Sequence, residues 1–157
     1  MLLIRAATRA DCAHLERILT RTFLADHTRY IPEPVDPEFV ARFSADLVSR
    51  RWAAMALALL DDQPVGMLYT EPPKIEALNV LPASQRRGIG TALMDWIEPT
   101  LAAAGHAIAT LDTQEANAPA RRFYESRGYR TASHWLQAQF TKVPIPTVTL
   151  ERSLRAP

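Results

Sequence analysis

A basic loop that contains two glycines joins a strand-like segment to a helix in the middle of this chain. The loop reads Gln85-Arg86-Arg87-Gly88-Ile89-Gly90; the apolar segment 75–82 precedes it and the helical run 91–97 follows. The first backbone N–H groups of a helix lack partners within the helix, and the helix dipole gives them partial positive charge. Glycines let a ligand approach the main chain, and the arginines add charge. The segment therefore predicts a phosphate-binding loop.

Two common phosphate-binding loops do not fit this segment. No Gly-Lys-Ser/Thr follows the glycines, as a Walker loop would require. Leu93 stands where a dinucleotide-binding fingerprint would have a third Gly or Ala. The alternative without a function is an ordinary strand-to-helix turn that happens to carry glycines.

A second motif lies about thirty residues further on, where residues 117–129 read as a short capped helix. Asn117 is a favourable N-cap, and Pro119 fits the first turn, where its missing N–H has no partner in any case. Gly128 supplies a left-handed stop at the end of the helix. Tyr129 then begins the next predicted strand.

Together the two segments resemble the two signatures of the GNAT superfamily of N-acetyltransferases. In that family Gln/Arg-x-x-Gly-x-Gly/Ala follows a strand and holds the pyrophosphate of CoA, and Asn-x-x-Ala-x-x-Phe-Tyr-x-x-x-Gly-Phe/Tyr follows later in the chain. Both patterns occur here in that order. The resemblance implies an α/β GNAT fold, with a mixed central sheet of about seven strands flanked by about four helices, and it implies acetyl-CoA as the cofactor.

Hydrophobic periodicity predicts the same order of elements. Apolar positions alternate in the predicted strands and recur with helical spacing in the predicted helices. The order is β, α, α, three strands, α, β, α, β, β, which is a mixed α/β layout around one sheet. The predicted strands are 2–7, 52–60, 65–70, 75–81, 107–112, 129–140 and 147–152, and the predicted helices start near 9, 36, 88 and 117.

The length of 157 residues predicts a single domain over 1–157. The formal net charge of +1 gives no general attraction to nucleic acid or to an anionic membrane. The one cysteine, Cys12, allows no intrachain disulfide and suits a reducing compartment, so we expect a cytoplasmic protein. No group of His, Cys, Asp and Glu has metal-ligand spacing, and we predict no metal.

The resemblance assigns the cofactor to the loop, the strand before it and the second motif. Main-chain N–H groups of the loop would hold the pyrophosphate, and the strand would pair with the pantetheine arm and supply an oxyanion donor near Val80. The predicted cofactor-binding residues are Leu78, Val80, Gln85, Arg86, Arg87, Gly88, Ile89, Gly90, Thr91, Asn117 and Tyr124.

Two residues are predicted to carry the proton transfers. The resemblance makes Tyr124 the general acid that protonates the leaving thiolate; the alternative is an aromatic side chain packed on the sheet. Glu76 is the predicted general base, because strand alternation would place it on one face with Leu78 and Val80; the alternative is an exposed edge carboxylate. His27 and His134 are further bases by chemistry, although no motif surrounds them.

The acceptor pocket in this fold is formed by the segment between the first two helices and by the last strands. The predicted acceptor-binding residues are His27, Arg29, Tyr30 and Trp135. The predicted reaction is direct transfer of an acetyl group from acetyl-CoA to a primary amine of a small molecule. A protein or peptide acceptor and a non-catalytic acyl-CoA sensor are the alternatives, and the fold's habit of pairing through its C-terminal strands suggests a homodimer.

Overall fold

A seven-stranded mixed sheet forms the centre of the molecule in the computed structural model, which describes residues 1–139 and 141–156. Its strands are β1 (Leu2–Ala6), β2 (Met55–Leu60), β3 (Gln63–Glu71), β4 (Lys74–Val80), β5 (Ile108–Gln114), β6 (Arg130–Gln137) and β7 (Ile145–Ser153). Their spatial order is β1-β2-β3-β4-β5-β7-β6, and every neighbouring pair is antiparallel except β4 and β5.

Helices cover both faces of this sheet. The α-helices of the described residues are α1 (Cys12–Ala25), α2 (Pro37–Arg51), α3 (Ile89–Ala103) and α4 (Ala118–Ser126). Leu15 and Ile18 of α1 belong to one apolar cluster with alternate side chains of β2 and β3, whereas Leu93 and Ile97 of α3 belong to a second cluster with the intervening ones. The period-2 pattern of the strands thus supplies both core layers. The fold predicted from the sequence is confirmed.

Capping residues fix where two of the helices begin. Asp36 accepts a hydrogen bond from the Glu38 N–H (3.0 Å) at the start of α2, and Pro37 occupies the first helical position. Asn117 accepts from the Ala120 N–H (3.1 Å) at the start of α4. Each cap satisfies a backbone donor that has no partner inside its own helix.

Some strand boundaries differ from those predicted. Residues 52–54, predicted as strand, form a 3-10 turn because Trp52 still donates its N–H to the Val48 carbonyl at the end of α2. Tyr129 closes the end of α4 instead of starting β6, since its N–H bonds to the Tyr124 carbonyl (3.1 Å). The predicted end of that strand at Phe140 lies outside the described residues.

Asp11 joins the start of α1 to β1. Its buried carboxylate accepts hydrogen bonds from Arg5 Nη1 (2.7 Å) and Nη2 (2.9 Å) and from the Thr8 N–H (2.7 Å). The bond from Arg5 is the main cause that lowers the pKa of Asp11 below its ordinary value of 3.8. The folded state therefore binds the Asp11 proton more weakly than the unfolded state does, and the carboxylate stabilises the fold above that ordinary pKa.

We expect Asp11→Asn to lower the free energy of unfolding by about 2 kcal/mol near neutral pH, because hydrogen bonds to a charged group are lost. The difference from the wild type should shrink as the pH falls below 3.8, where the Asp11 carboxylate of the unfolded chain becomes protonated. Urea unfolding of both proteins at several pH values measures the stability difference and its dependence on pH. Asp46→Asn, which removes an exposed pair with Arg50, is the control and should change stability by less than about 0.5 kcal/mol. A pH-independent difference would contradict the assignment.

No α-helix among residues 1–139 and 141–156 combines the length and the apolar character that crossing a bilayer requires.

Candidate active site

The parallel strands β4 and β5 separate soon after they meet. They pair only at Lys74 with Thr110 and at Ile75 with Leu111, and the rest of β4 has no partner on that side. On its other side Leu81 donates its N–H to the Val65 carbonyl of β3 (2.8 Å). Because successive residues of a strand direct their backbone groups to opposite sides, the N–H and C=O groups of Leu78 and Val80 face the gap. The gap thus exposes main-chain donors and acceptors that a ligand can pair with.

A cavity of about 780 Å³ occupies this gap. It is lined from one face of the sheet by α1 and the 3-10 turn His27–Tyr30, and from the other by α4 and the start of α3. The lining residues are Thr22, Asp26, His27, Arg29, Tyr30, Leu78, Asn79, Val80, Ser84, Gln85, Arg86, Gly88, Ile89, Gly90, Thr91, Asn117, Pro119, Ala120, Arg122, Phe123 and Tyr124.

The glycine loop forms one wall of the cavity and ends at the first turn of α3. Arg86 and Gly88 both have left-handed backbone conformations, with φ of 62° and 77°. The first hydrogen bond of the helix runs from the Ala92 N–H to the Gly88 carbonyl (3.0 Å), so the N–H groups of the preceding residues lack acceptors inside the helix. With Arg86 and Arg122 in the same wall, the loop is a site for an anionic group.

The Gln85 side chain holds the loop against the end of α1. Its Nε2 donates to the Val80 carbonyl (3.0 Å) and to Asp26 Oδ2 (2.7 Å). Both Nε2 protons are therefore used within the protein, and Gln85 positions the loop through its side chain. A contact of Gln85 with a ligand stays a prediction.

Tyr124 projects from α4 into the cavity wall. Its ring meets Phe123 edge-to-face at a centroid distance of 5.1 Å and meets Tyr129 in the same way at 5.8 Å. Burial raises the pKa of the Tyr124 phenol above its ordinary value of 10. The hydroxyl makes no hydrogen bond to another described residue and stays protonated at physiological pH, so it can donate to a bound group.

His27 lies on the opposite side of the gap from Tyr124. Its ring stacks on Phe23 with centroids 5.3 Å apart and planes 14° apart. Burial lowers the pKa of the imidazole below 6.5, and the smaller effects of Asp26 and Asn79 oppose this shift. The ring is therefore neutral near pH 7 and can accept a proton.

Glu76 is not among the residues that line the cavity. A β-bulge interrupts β4 at this residue, since Tyr69 pairs with Ala77 while Thr70 pairs with Ile75. Strand alternation therefore does not place Glu76 on the same face as Leu78 and Val80. The Glu76 carboxylate lies 3.3 Å from Lys74 Nζ, which also contacts Asp112 (2.7 Å). The role of Glu76 as a base stays a prediction.

Most of the predicted site residues meet in the one cavity. They are His27, Arg29, Tyr30, Leu78, Val80, Gln85, Arg86, Gly88, Ile89, Gly90, Thr91, Asn117 and Tyr124. Three others do not line it: Glu76, Arg87 and Trp135. The Trp135 indole N–H donates to Thr149 Oγ1 (3.2 Å) on the neighbouring strand β7, and Arg87 acts electrostatically on Asp61 in the β2–β3 turn.

Sequence reasoning missed several polar residues of the cavity wall, Asn79 and Thr22 among them. Asn79 is buried on β4, where its Nδ2 donates to Met67 Sδ (3.8 Å). A carboxamide inside the apolar run 77–81 was the signal for it. Thr22 is buried in α1, and its hydroxyl bonds back to the Ile18 carbonyl (2.8 Å), which conceals it among ordinary helix residues.

A splayed parallel pair with a basic glycine loop at its end and a buried tyrosine on the same side as the loop suits a class of protein that holds a phosphate-bearing acyl carrier. Residues 12–129 match the acetyltransferase (GNAT) family. This match covers most of the chain, which therefore belongs to the GNAT family.

Solved structures agree with this fold. An N-acetyltransferase from Rhodopseudomonas palustris has a TM-score of 0.75 and 22% identity over 96% of this chain and 94% of its own. A Salmonella typhimurium protein solved with its cofactor acetyl-CoA has a TM-score of 0.72 and 17% identity, over 100% of this chain and 96% of its own. The ribosomal-protein-S18-alanine N-acetyltransferase of Escherichia coli has a TM-score of 0.71 and 18% identity, over 100% of this chain and 96% of its own. At these identities the likeness shows the fold.

Proposed function

We propose that this protein transfers the acetyl group of acetyl-CoA to a primary amine of a small molecule, with both substrates bound at once. The observation that carries the proposal is the cavity itself. It runs from the anion-binding glycine loop, along the unpaired edge of β4, to the buried hydroxyl-bearing side chain of Tyr124. A nucleotide-linked thioester has this sequence of features: phosphates, an amide-containing arm and a reactive end.

The residues present suit acetyl-CoA along its length. The N–H groups of Ile89, Gly90 and Thr91, with the guanidinium of Arg86, would hold the pyrophosphate. The backbone N–H and C=O of Leu78 and the N–H of Val80 face the gap and would pair with the pantetheine arm, as an additional strand does; the Val80 carbonyl already accepts from Gln85. The cofactor contacts predicted for Asn117 and Arg87 are also proposals, and Asn117 already caps α4.

Acetyl-CoA supplies a thioester whose thiolate leaves when the amine attacks. Tyr124 holds a proton at its Oη and would give it to the leaving sulfur. The Val80 N–H faces the gap and would stabilise negative charge on the carbonyl oxygen. Binding the amine beside the thioester supplies the remaining catalysis by proximity.

A bridge across the acceptor end supports a small acceptor. Glu33, in the segment between α1 and α2, accepts a hydrogen bond from the Val143 N–H (2.5 Å) in the connection between β6 and β7. The same segment contributes His27, Arg29 and Tyr30 to the cavity wall. If the acceptor enters between these two connections, their bridge would leave less room for an extended polypeptide than for a small amine.

Two other functions are tested together with this one. The first is acetylation of a protein or peptide, and the Escherichia coli relative named above is a ribosomal-protein N-acetyltransferase by its description. The second is binding of acyl-CoA without catalysis.

The test is release of CoA thiol when the protein is mixed with acetyl-CoA and a panel of amino acids, polyamines, amino sugars and short peptides. Mass spectrometry of the mixtures identifies the acetylated amine. We expect turnover with a small amine. Turnover with peptides alone would establish the protein acceptor, and acetyl-CoA binding without turnover on any amine would favour the sensor.

A further inference from the structure

The three bases considered from the sequence, His134, Glu76 and His27, differ in where they lie. His134 on β6 is exposed and lies 3.8 Å from Glu115, outside the cavity. Glu76 is also outside the cavity and contacts Lys74. His27 lines the cavity, on the face of the sheet opposite Tyr124.

We propose that His27 is the base that removes the proton from the attacking amine; this inference rests on the acetyltransfer proposed above. The imidazole lies at the end of α1, next to the open part of β4. A thioester in the gap would have Tyr124 on one side and His27 on the other. Base and acid would then act from opposite faces of the sheet, so the base can reach the attacking nitrogen without competing for the acid's place beside the sulfur.

Neighbouring side chains hold the ring and select its proton-accepting nitrogen. Stacking on Phe23 fixes the plane of the ring. Asn79 interacts with the imidazole, and its Oδ1, to which no other described residue donates, would accept the imidazole N–H. The second ring nitrogen then carries the free lone pair, because one hydrogen bond fixes the tautomer. Asn79 is thus a positioning residue.

Burial keeps the His27 ring neutral at working pH, against the effect of the nearby charge. Burial is the largest effect and lowers the pKa of His27. The nearest acid, Asp26, raises it less, and the Asp26 carboxylate is itself hydrogen-bonded to Gln85. The other titratable or charged groups of the cavity wall are Arg29 and Tyr30 of the same turn, Arg86 of the loop, and Arg122 and Tyr124 of α4.

The proposed step balances as follows. The nitrogen lone pair of the amine forms the bond to the acetyl carbon, and His27 takes one proton from that nitrogen. The carbon–sulfur bond breaks, its electron pair stays on sulfur, and the sulfur receives the Tyr124 proton. Imidazolium and phenolate then exchange protons with water, so the net products are the acetylated amine and free CoA.

The test is the pH dependence of acetyl transfer, measured by CoA thiol release with acetyl-CoA and the best amine of the panel above. For His27→Asn we expect kcat to fall about a hundredfold near pH 7, with the KM for acetyl-CoA changed less than about twofold. The wild-type kcat/KM should decline as the pH falls through the pKa of His27, below 6.5, and this decline should be absent in the variant. His14→Asn, on an exposed position of α1, is the matched control and should behave as the wild type.

A second variant separates a chemical role from a structural one. His27→Ala should regain activity when imidazole is added, which a purely structural defect would not allow. A His27→Asn enzyme with kcat within about threefold of the wild type would overturn the inference and leave the acetyltransfer intact, as would a hundredfold loss in Glu76→Gln alone. A wild type that binds acetyl-CoA but acetylates no amine would overturn both proposals.

Discussion

Replacing Tyr124 with phenylalanine is expected to lower kcat for acetyl transfer by about two to three orders of magnitude. The variant loses the only hydroxyl that α4 presents to the cavity among the described residues, and the thiolate must then leave without a proton from the protein. Acetyl-CoA affinity should change little, because in the proposed binding mode other parts of the cavity hold the phosphates and the arm.

The packing of Tyr124 allows phenylalanine to remove the hydroxyl without disturbing the ring contacts. The ring contacts Phe123 and Tyr129 through its edges and faces, and phenylalanine preserves both contacts. Burial raises the pKa of the Tyr124 phenol, so the hydroxyl remains protonated over the working range. The wild-type rate should accordingly show no alkaline loss up to about pH 10 that could be ascribed to this group.

Tyr129→Phe is the matched control for Tyr124→Phe. Tyr129 is a buried tyrosine next to Tyr124, but its hydroxyl donates to Glu98 Oε1 (3.1 Å) and lies outside the cavity. Its removal should lower the free energy of unfolding by about 1 kcal/mol and leave kcat unchanged. Steady-state kinetics of both variants tests whether Tyr124 is the general acid. Equal kcat in Tyr124→Phe and the wild type would refute that assignment.

The largest loss of stability is expected for Glu98→Ala, at about 3–5 kcal/mol. Glu98 is only 8% exposed, and its carboxylate accepts from Arg127 Nη2 (2.9 Å), Arg152 Nη1 (2.6 Å) and the Tyr129 hydroxyl. It therefore ties α3 to the end of α4 and to β7. Without it, the poorly exposed guanidinium of Arg127 loses its buried partner and keeps only Asp95 (2.7 Å).

Urea unfolding of three variants separates the buried charge from its packing. Glu98→Gln retains the shape and one acceptor oxygen and should fall between the wild type and Glu98→Ala. Glu125→Gln removes an exposed i,i+4 pair with Arg121 on α4 and should cost less than about 0.5 kcal/mol. A Glu98→Ala loss as small as that of Glu125→Gln would show that the network does not hold these elements together.

The sequence predicted the features that depend on residues close together in the chain. The cap at Asn117, the left-handed Gly128 at the end of α4 and the helix that follows the glycine loop are local, and all are found in the structure. The network of Glu98 could not be predicted, because its partners lie 29, 31 and 54 residues further along the chain.

The same limit applies to the candidate site. Most of the predicted cofactor residues line one cavity because two family-like motifs place them there. Glu76 was assigned by strand alternation, and a bulge is invisible in an alternating pattern. His27 is preferred over Glu76 as the base because the end of α1 lies close to β4 in the fold. That is a tertiary contact, and no sequence motif around His27 indicates it.

The central claim, that the glycine loop holds acetyl-CoA, is tested most directly by calorimetric titration of acetyl-CoA into the wild type, Gly88→Glu and Gly105→Glu. Both glycines have positive φ and open space where a Cβ would lie, so the two substitutions add the same charge and a similar strain of about 1–2 kcal/mol. Only Gly88 lines the cavity. We predict at least tenfold weaker binding by Gly88→Glu and less than twofold by Gly105→Glu; equal binding by all three, or none by the wild type at millimolar acetyl-CoA, would contradict the account.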